Sequence, residues 1–157
     1  MPIVIDANTF APVFNESCSL HSEFSPVRAW ITDGPGLVVY GGTKYKKELH
    51  RAYRYMRLVR QLKNANKAVE ICQDRVDERE REIEELTRGS GCDDQHIIAI
   101  FCVSKCRLFC SHDGRADRYI KSQALYPKGQ QRPKIYRSLA NQGLLCRTYV
   151  VRLQNTT

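Results

Sequence analysis

The sequence predicts an α/β protein built on a mainly parallel sheet, and three observations carry that expectation. Short apolar runs at Pro2–Ile5, Leu37–Tyr40 and residues 107–111 are bounded by turn residues. They are continuously apolar rather than alternating, as strands buried on both faces are. Long stretches of helix formers separate them, the order expected of strand–helix–strand crossovers.

The elements follow in order. The first run ends at Asp6, which would sit at the carboxyl edge of its strand. Residues 11–34 mix Pro, Ser, Asn and Gly with Phe24, Val27, Trp30 and Ile31, which fit one short amphipathic helix after Ser25-Pro26. Gly41-Gly42 closes the second strand. Residues 43–87 contain neither proline nor glycine, and helix formers dominate. The spacing predicts one long helix or a helical hairpin, broken most readily at Asn64-Ala65-Asn66.

Within that segment Leu62, Ala65, Val69, Cys72, Val76, Ile83 and Leu86 step by threes and fours, interrupted by Arg79. This short heptad seam could pack on the preceding helix, on the domain or on a second subunit. Gly89-Ser90-Gly91 ends the segment. Ile97, Ile98, Phe101 and Cys102 then mark the buried stripe of another helix, opened by Asp93 or Asp94. The third strand terminates at His112-Asp113-Gly114. A short helix at 115–121, a weak helix at 136–141 and a last strand at 145–153 complete the chain.

A length of 157 residues suits one domain, 1–157, carrying a charged helical insert at about residues 61–88. The formal charge of +8 makes a polyanion such as nucleic acid a natural partner. Residues 44–67 are strongly basic, whereas 74–85 are acidic with interspersed arginines, as in a solvated helix face with local ion pairs. The seven cysteines are odd in number and include no C-x-x-C pair. They read as free, largely buried thiols of a reducing compartment, not as disulfides or a zinc site. The opening MPIVIDANTF lacks a basic region and a long apolar run, and no later stretch approaches the ~20 apolar residues of a membrane span. The expectation is a soluble, cytoplasmic protein with no membrane partner.

Asp6 and Asp113 both end apolar strands, and ligands of open α/β sheets bind beyond those carboxyl ends. Either residue alone could simply cap a helix or begin a turn. Asp93-Asp94 would bring a third carboxylate to the same edge, one of the pair serving as N-cap. Carboxylates crowded together repel unless a divalent cation neutralises them, and Mg²⁺ prefers such hard oxygen ligands. Lys44, Lys46 and Lys47 fall in the first turns of the helix after Gly41-Gly42, where positive charge opposes the helix dipole. A bound phosphate would remove that conflict, and plain solvation beside an acidic site is the alternative. Arg51, Arg54, Arg57 and Arg60 extend the basic face, with Arg115, Arg118 and Lys121 as an opposite rim. Lys128, Arg132, Lys134 and Arg137 would add to the same groove, with Tyr126 or Tyr136 either stacking on bases or buried.

Four segments, IVIDANTF, GGTKYKKEL, DDQHIIAIF and RLFCSHDGRAD, resemble in order the four acid-bearing segments of the PIN-domain family of metal-dependent nucleases. The resemblance frames most of the chain. It implies a three-layer α/β/α fold and an Mg²⁺ or Mn²⁺ site formed by Asp6, Glu48, Asp94 and Asp113. Asn8 would support that site, with Asp93 and Asp117 as accessory acids. His96 would fix helix geometry or pack at the helix end. The implied activity is endonucleolytic hydrolysis of single-stranded RNA, with Lys44, Lys46, Lys47, Arg51, Arg115 and Arg118 on the nucleic acid. Small stand-alone members of the family are commonly toxins of toxin/antitoxin pairs, so an antitoxin or other inhibitor is an implied partner. The segment at 61–88 exceeds a minimal member and suggests a dimer interface. Two other functions fit the same residues: a DNA-directed structure-specific nuclease, and a catalytically silent nucleic-acid-binding or scaffold module.

Overall fold

The computed structural model describes residues 1–146. Five parallel strands form one sheet in the order β3-β2-β1-β4-β5, with β1 at Pro2–Ile5, β2 at Leu37–Tyr40, β3 at Ala68–Glu70, β4 at Leu108–Cys110 and β5 at Lys134–Tyr136. The helices are α1 (Phe10–Phe14), α2 (His21–Thr32), α3 (Thr43–Arg51), α4 (Tyr53–Asn64), α5 (Gln73–Leu86), α6 (Gln95–Ser104) and α7 (Asp117–Ile120).

The connections dictate the layers. Strands β1, β2 and β3 step outward in one direction, so right-handed crossovers put their helices on one face. There the Phe10 ring of α1 lies 5.9 Å from the Tyr55 ring of α4. The chain then returns across the sheet from β3 to β4, which moves α5 and α6 to the other face, where they pack together. The result is an α/β/α sandwich whose central strands are buried at almost every position, including Ile3, Val4, Ile5, Val38, Val39, Phe109 and Cys110. The strand order reverses between β1 and β4, and such a switch point opens a crevice at the strands' carboxyl ends.

The segment 43–87, expected as one long helix or a helical hairpin broken at Asn64-Ala65-Asn66, does break there, but it divides further into α3, α4, β3 and α5, so the expectation of helix throughout is corrected. Asn66 adopts φ 59°, while the Lys67 N–H donates to the Leu62 carbonyl at 2.7 Å and the Asn66 N–H to that of Lys63 at 3.0 Å. This left-handed Schellman closure ends α4 and releases the chain into β3, which pairs with β2 through Val38↔Ala68 and Tyr40↔Glu70. The supposed helical insert at 61–88 is therefore an edge strand and crossover helix of the sandwich. Its heptad seam is also broken, because Leu62 lies on α4 and Val69 on β3. Val76 and Ile83 are fully buried within the chain, so this part of the seam packs on the domain, whereas Leu86 at the end of α5 is exposed.

Smaller differences have local causes. Helix α2 begins at His21, ahead of Pro26, which sits inside it. Tyr136 ends β5 instead of opening a helix, and a 3-10 segment follows at Leu139–Leu144. The strand expected at 145–153 falls almost wholly outside the described residues. All seven cysteines are free thiols, four of them buried. Among the described residues no helix is long and apolar enough to cross a membrane.

Candidate functional site

The switch point between β1 and β4 is lined by carboxylates. Parallel pairing sets Ile5 opposite Cys110, so the next residues, Asp6 and Ser111, also lie side by side. The Asp6 N–H donates to the Cys110 carbonyl at 2.9 Å, and the Ser111 hydroxyl donates to Asp6 Oδ2 at 3.2 Å.

Helix α3 delivers Glu48. Its start needs two glycines at a tight turn, and Gly42 has φ 81° with no room for a Cβ, which would lie 2.6 Å from Val76 Cγ1. Asp77 of α5 caps that start, accepting from the Thr43 N–H at 2.8 Å and the Thr43 hydroxyl at 2.6 Å. The fully buried Tyr45 donates its hydroxyl to the Ile5 carbonyl at 2.5 Å, tying α3 to the end of β1. Three residues on, and so on the same helix face, Glu48 Oε2 lies 3.0 Å from Nε2 of His96, which is 2% exposed on α6. Helix α6 begins directly after Asp94, whose side chain makes no capping bond.

Asp6, Asn8, Glu48, Asp93, Asp94 and Asp113 line one cleft of about 380 Å³ with Lys44, Gly91, Arg115, Ala116 and Tyr119. Five carboxylates face two cations there, on a protein whose net charge is +8. Burial raises the Asp6 carboxyl above its usual range, and the nearby Asp94 and Glu48 charges raise it further; the Asn8 backbone N–H and the Ser111 hydroxyl oppose them in part. Asp94 is likewise raised by burial and by Glu48, with His96 and Lys44 pulling the other way. For Glu48, burial is outweighed by the His96 hydrogen bond and by the His96, Lys44 and Arg51 charges, which hold it below its usual range.

Asp113 is placed differently. Its carboxylate caps the following turn and accepts from the Arg115 N–H at 3.0 Å and from Arg115 Nε at 2.7 Å and Nη2 at 2.5 Å, which depresses it to about 2. Among the described residues no three His, Cys, Asp or Glu side chains converge as a ready-made metal centre. The donor set nonetheless suits a hard divalent cation. Asp6, Glu48 and Asp94 offer only oxygens, and burial, followed by neighbouring acidic charge, raises Asp6 and Asp94, a cost that such an ion would relieve.

The accessory assignments divide. Asn8, Asp93 and Lys44 line the cleft, and Lys44 Nζ donates to the Asp93 carbonyl at 2.9 Å. Asp117 pairs with Arg137 at 2.5 Å and lies outside the cleft's lining. Lys46 is committed to Glu70 at 2.7 Å, Arg118 stacks over Tyr119 and donates to the Ser90 carbonyl, and Lys47 and Arg51 are exposed on α3. Sequence reasoning missed Ser111, Tyr45, Asp77 and Glu80. Ser111 could have been found by pairing the two Asp-ending strands. Glu80, on α5 and 9% exposed, faces His96 and Lys44 across the helix layer, a relation that no spacing encodes.

No family model, no curated protein and no solved structure matches this chain. The site's own chemistry must carry the functional reading.

Proposed function

We propose that the chain is a metal-dependent endoribonuclease of PIN-like design, hydrolysing phosphodiesters at the cleft between β1 and β4. One observation carries the reading: carboxylates from three separate elements, Asp6 after β1, Glu48 on α3 and Asp94 before α6, line one cleft at the switch point, where burial first and neighbouring acidic charge second oppose ionisation of Asp6 and Asp94. Bare, this cleft would reject a polyanion. With a divalent cation it becomes a phosphate site on a basic protein.

Mg²⁺ or Mn²⁺ bound there would supply an activated water and a Lewis acid for in-line attack at phosphorus. Asp6 and Asp94 would be its principal ligands, with Ser111 orienting Asp6. Glu48 stays ionised through its hydrogen bond to His96, which makes His96 a positioning residue. Lys44 and Arg115 flank the acids, where they can donate hydrogen bonds to the non-bridging phosphate oxygens. Water adds across a P–O bond to leave a phosphate monoester and a hydroxyl, and no side-chain nucleophile is needed. A protein inhibitor of the antitoxin kind is part of the same proposal.

The closure of Asp113 by Arg115 favours a second reading, a silent nucleic-acid-binding module in which these acids are structural. A DNA-directed nuclease would use the same cleft. Matched single-stranded RNA, single-stranded DNA and flap duplexes, each incubated with Mn²⁺ or chelator, separate the three. RNA cut only with metal supports the proposal, preference for flaps supports the DNA enzyme, and binding without cutting supports the silent module.

A further inference from the structure

A second, larger cleft lies away from the acids. It encloses about 870 Å³ beside the start of β4 and β5 and is walled by Arg107, Lys121, Lys128, Arg132 and Lys134, with no carboxylate among its lining residues. Its composition follows from the sequence, which has no aspartate or glutamate after Asp117. The walls are built rather than incidental. Lys134 N–H donates to the Arg107 carbonyl at 2.8 Å as β5 joins the sheet, and Arg132 Nη1 reaches the Lys121 carbonyl at 2.6 Å across the cleft mouth. Gln130 fixes the floor, donating to the Phe101 carbonyl at 2.8 Å and accepting from Lys105 Nζ at 2.8 Å. Lys121, Lys128, Arg132 and Lys134 keep their side chains in solvent.

We infer that this cleft binds the sugar–phosphate backbone of a single-stranded nucleic acid, as a docking site separate from the acidic cleft. Lys121, Lys128, Arg132 and Lys134 are exposed, with no carboxylate among the described lining residues, and such cations recruit a polyanion by releasing its condensed counterions. The exposed amide of Gln131 adds a hydrogen-bond donor and acceptor able to reach base edges. The basic cleft opens at the amino ends of β4 and β5 and the acidic one at the carboxyl ends of β1 and β4, and the chain passes from Tyr119 of the acidic lining to Lys121 of the basic one at the end of α7. The choice of nucleic acid over other polyanions rests on the nuclease reading.

The test is binding of fluorescently labelled single-stranded RNA by the full chain in chelator, followed by anisotropy across a salt series. Lys128→Glu/Arg132→Glu should weaken binding about tenfold or more and lower the salt slope by roughly 1.4, at ~0.7 per lost contact. Lys128→Gln/Lys134→Gln, milder for folding, should weaken it in the same direction. Asp6→Asn should bind at least as tightly as wild type. Unchanged affinity and slope in both cleft variants would overturn the inference, as would polyglutamate displacing the RNA at equal charge concentration. Because no metal is present, a protein that binds RNA through this cleft but never cuts it refutes only the nuclease reading. One that cuts through Asp6 while ignoring the cleft substitutions refutes only this inference.

Discussion

Glu48 Oε2 and His96 Nε2 lie 3.0 Å apart, joining α3 to α6 beneath the acidic cleft. The contact keeps one carboxylate ionised where its neighbours Asp6 and Asp94 are driven the other way. Burial and the neighbouring acidic charges thus both oppose ionisation of Asp6 and Asp94, and the charge part of that cost is measurable.

Asp94→Asn should stabilise the protein in chelator, because it relieves repulsion and costs no cap. A gain on the order of 1 kcal/mol corresponds to a Tm rise of about 2–4 °C for a chain of this size. Mn²⁺ should raise the wild-type Tm and leave Asp94→Asn nearly unmoved. Calorimetry with and without Mn²⁺ checks both; a variant less stable than wild type in chelator would refute the repulsion.

Lys46 and Lys44 should separate function from stability. Lys46 joins α3 to Glu70 at the end of β3, so Lys46→Ala should cost about 1 kcal/mol in urea unfolding. Lys44→Ala should lower cleavage with less effect on folding. Loss of RNA cutting in Lys46→Ala at unchanged stability would reverse the assignment.

The Glu70 pair also sets a pH dependence. Burial opposes ionisation of Glu70, but the hydrogen bonds and charges of Lys46 and Lys63 outweigh it and depress the group below its ordinary 4.5. A depressed carboxyl leaves the unfolded chain binding more protons, so its stabilisation is full above pH 4.5 and fades as pH falls through the folded-state value. Urea midpoints of wild type and Glu70→Gln should therefore differ at pH 7 and converge on acidification. A gap that widens on acidification would contradict the sign.

Gly42→Ala should destabilise by about 2–3 kcal/mol or more, since it combines left-handed strain with a clash at Val76. Gly89 has φ 76° but open space around it, so Gly89→Ala should cost only about 1–2 kcal/mol. Equal losses in denaturant unfolding would show that the α3 turn is not uniquely tight.

Arg115→Ala should free the Asp113 carboxylate and tighten Mn²⁺ binding by calorimetric titration if Asp113 completes the metal site. Weaker or unchanged binding would instead assign Asp113 to the turn that it caps.

Much of this was legible in advance where short-range chemistry decides. The runs Pro2–Ile5 and Leu37–Tyr40 are strands over those same residues, and Gly41-Gly42 is the turn that launches α3. The strand β3 was hidden because Ala68, Val69 and Glu70 sit among helix formers, and its signal is the left-handed Asn66 together with pairing to β2, a long-range fact. Asp6 was readable from its strand end, whereas the helix end left Asp93 and Asp94 open and only the family resemblance chose Asp94. The capture of Asp113 by Arg115 was not, because charges two residues apart could equally turn away from each other.

The central claim is that Asp6 and Asp94 jointly hold a catalytic divalent ion. The most direct measurement is the rate of single-stranded RNA cleavage in Mn²⁺ for wild type, Asp6→Asn and Asp94→Asn, each checked for folding and for RNA binding. Wild type should cut only with metal, and each variant should lose about a hundredfold or more with binding retained. Cutting that persists in both variants, or in chelator, would contradict the claim.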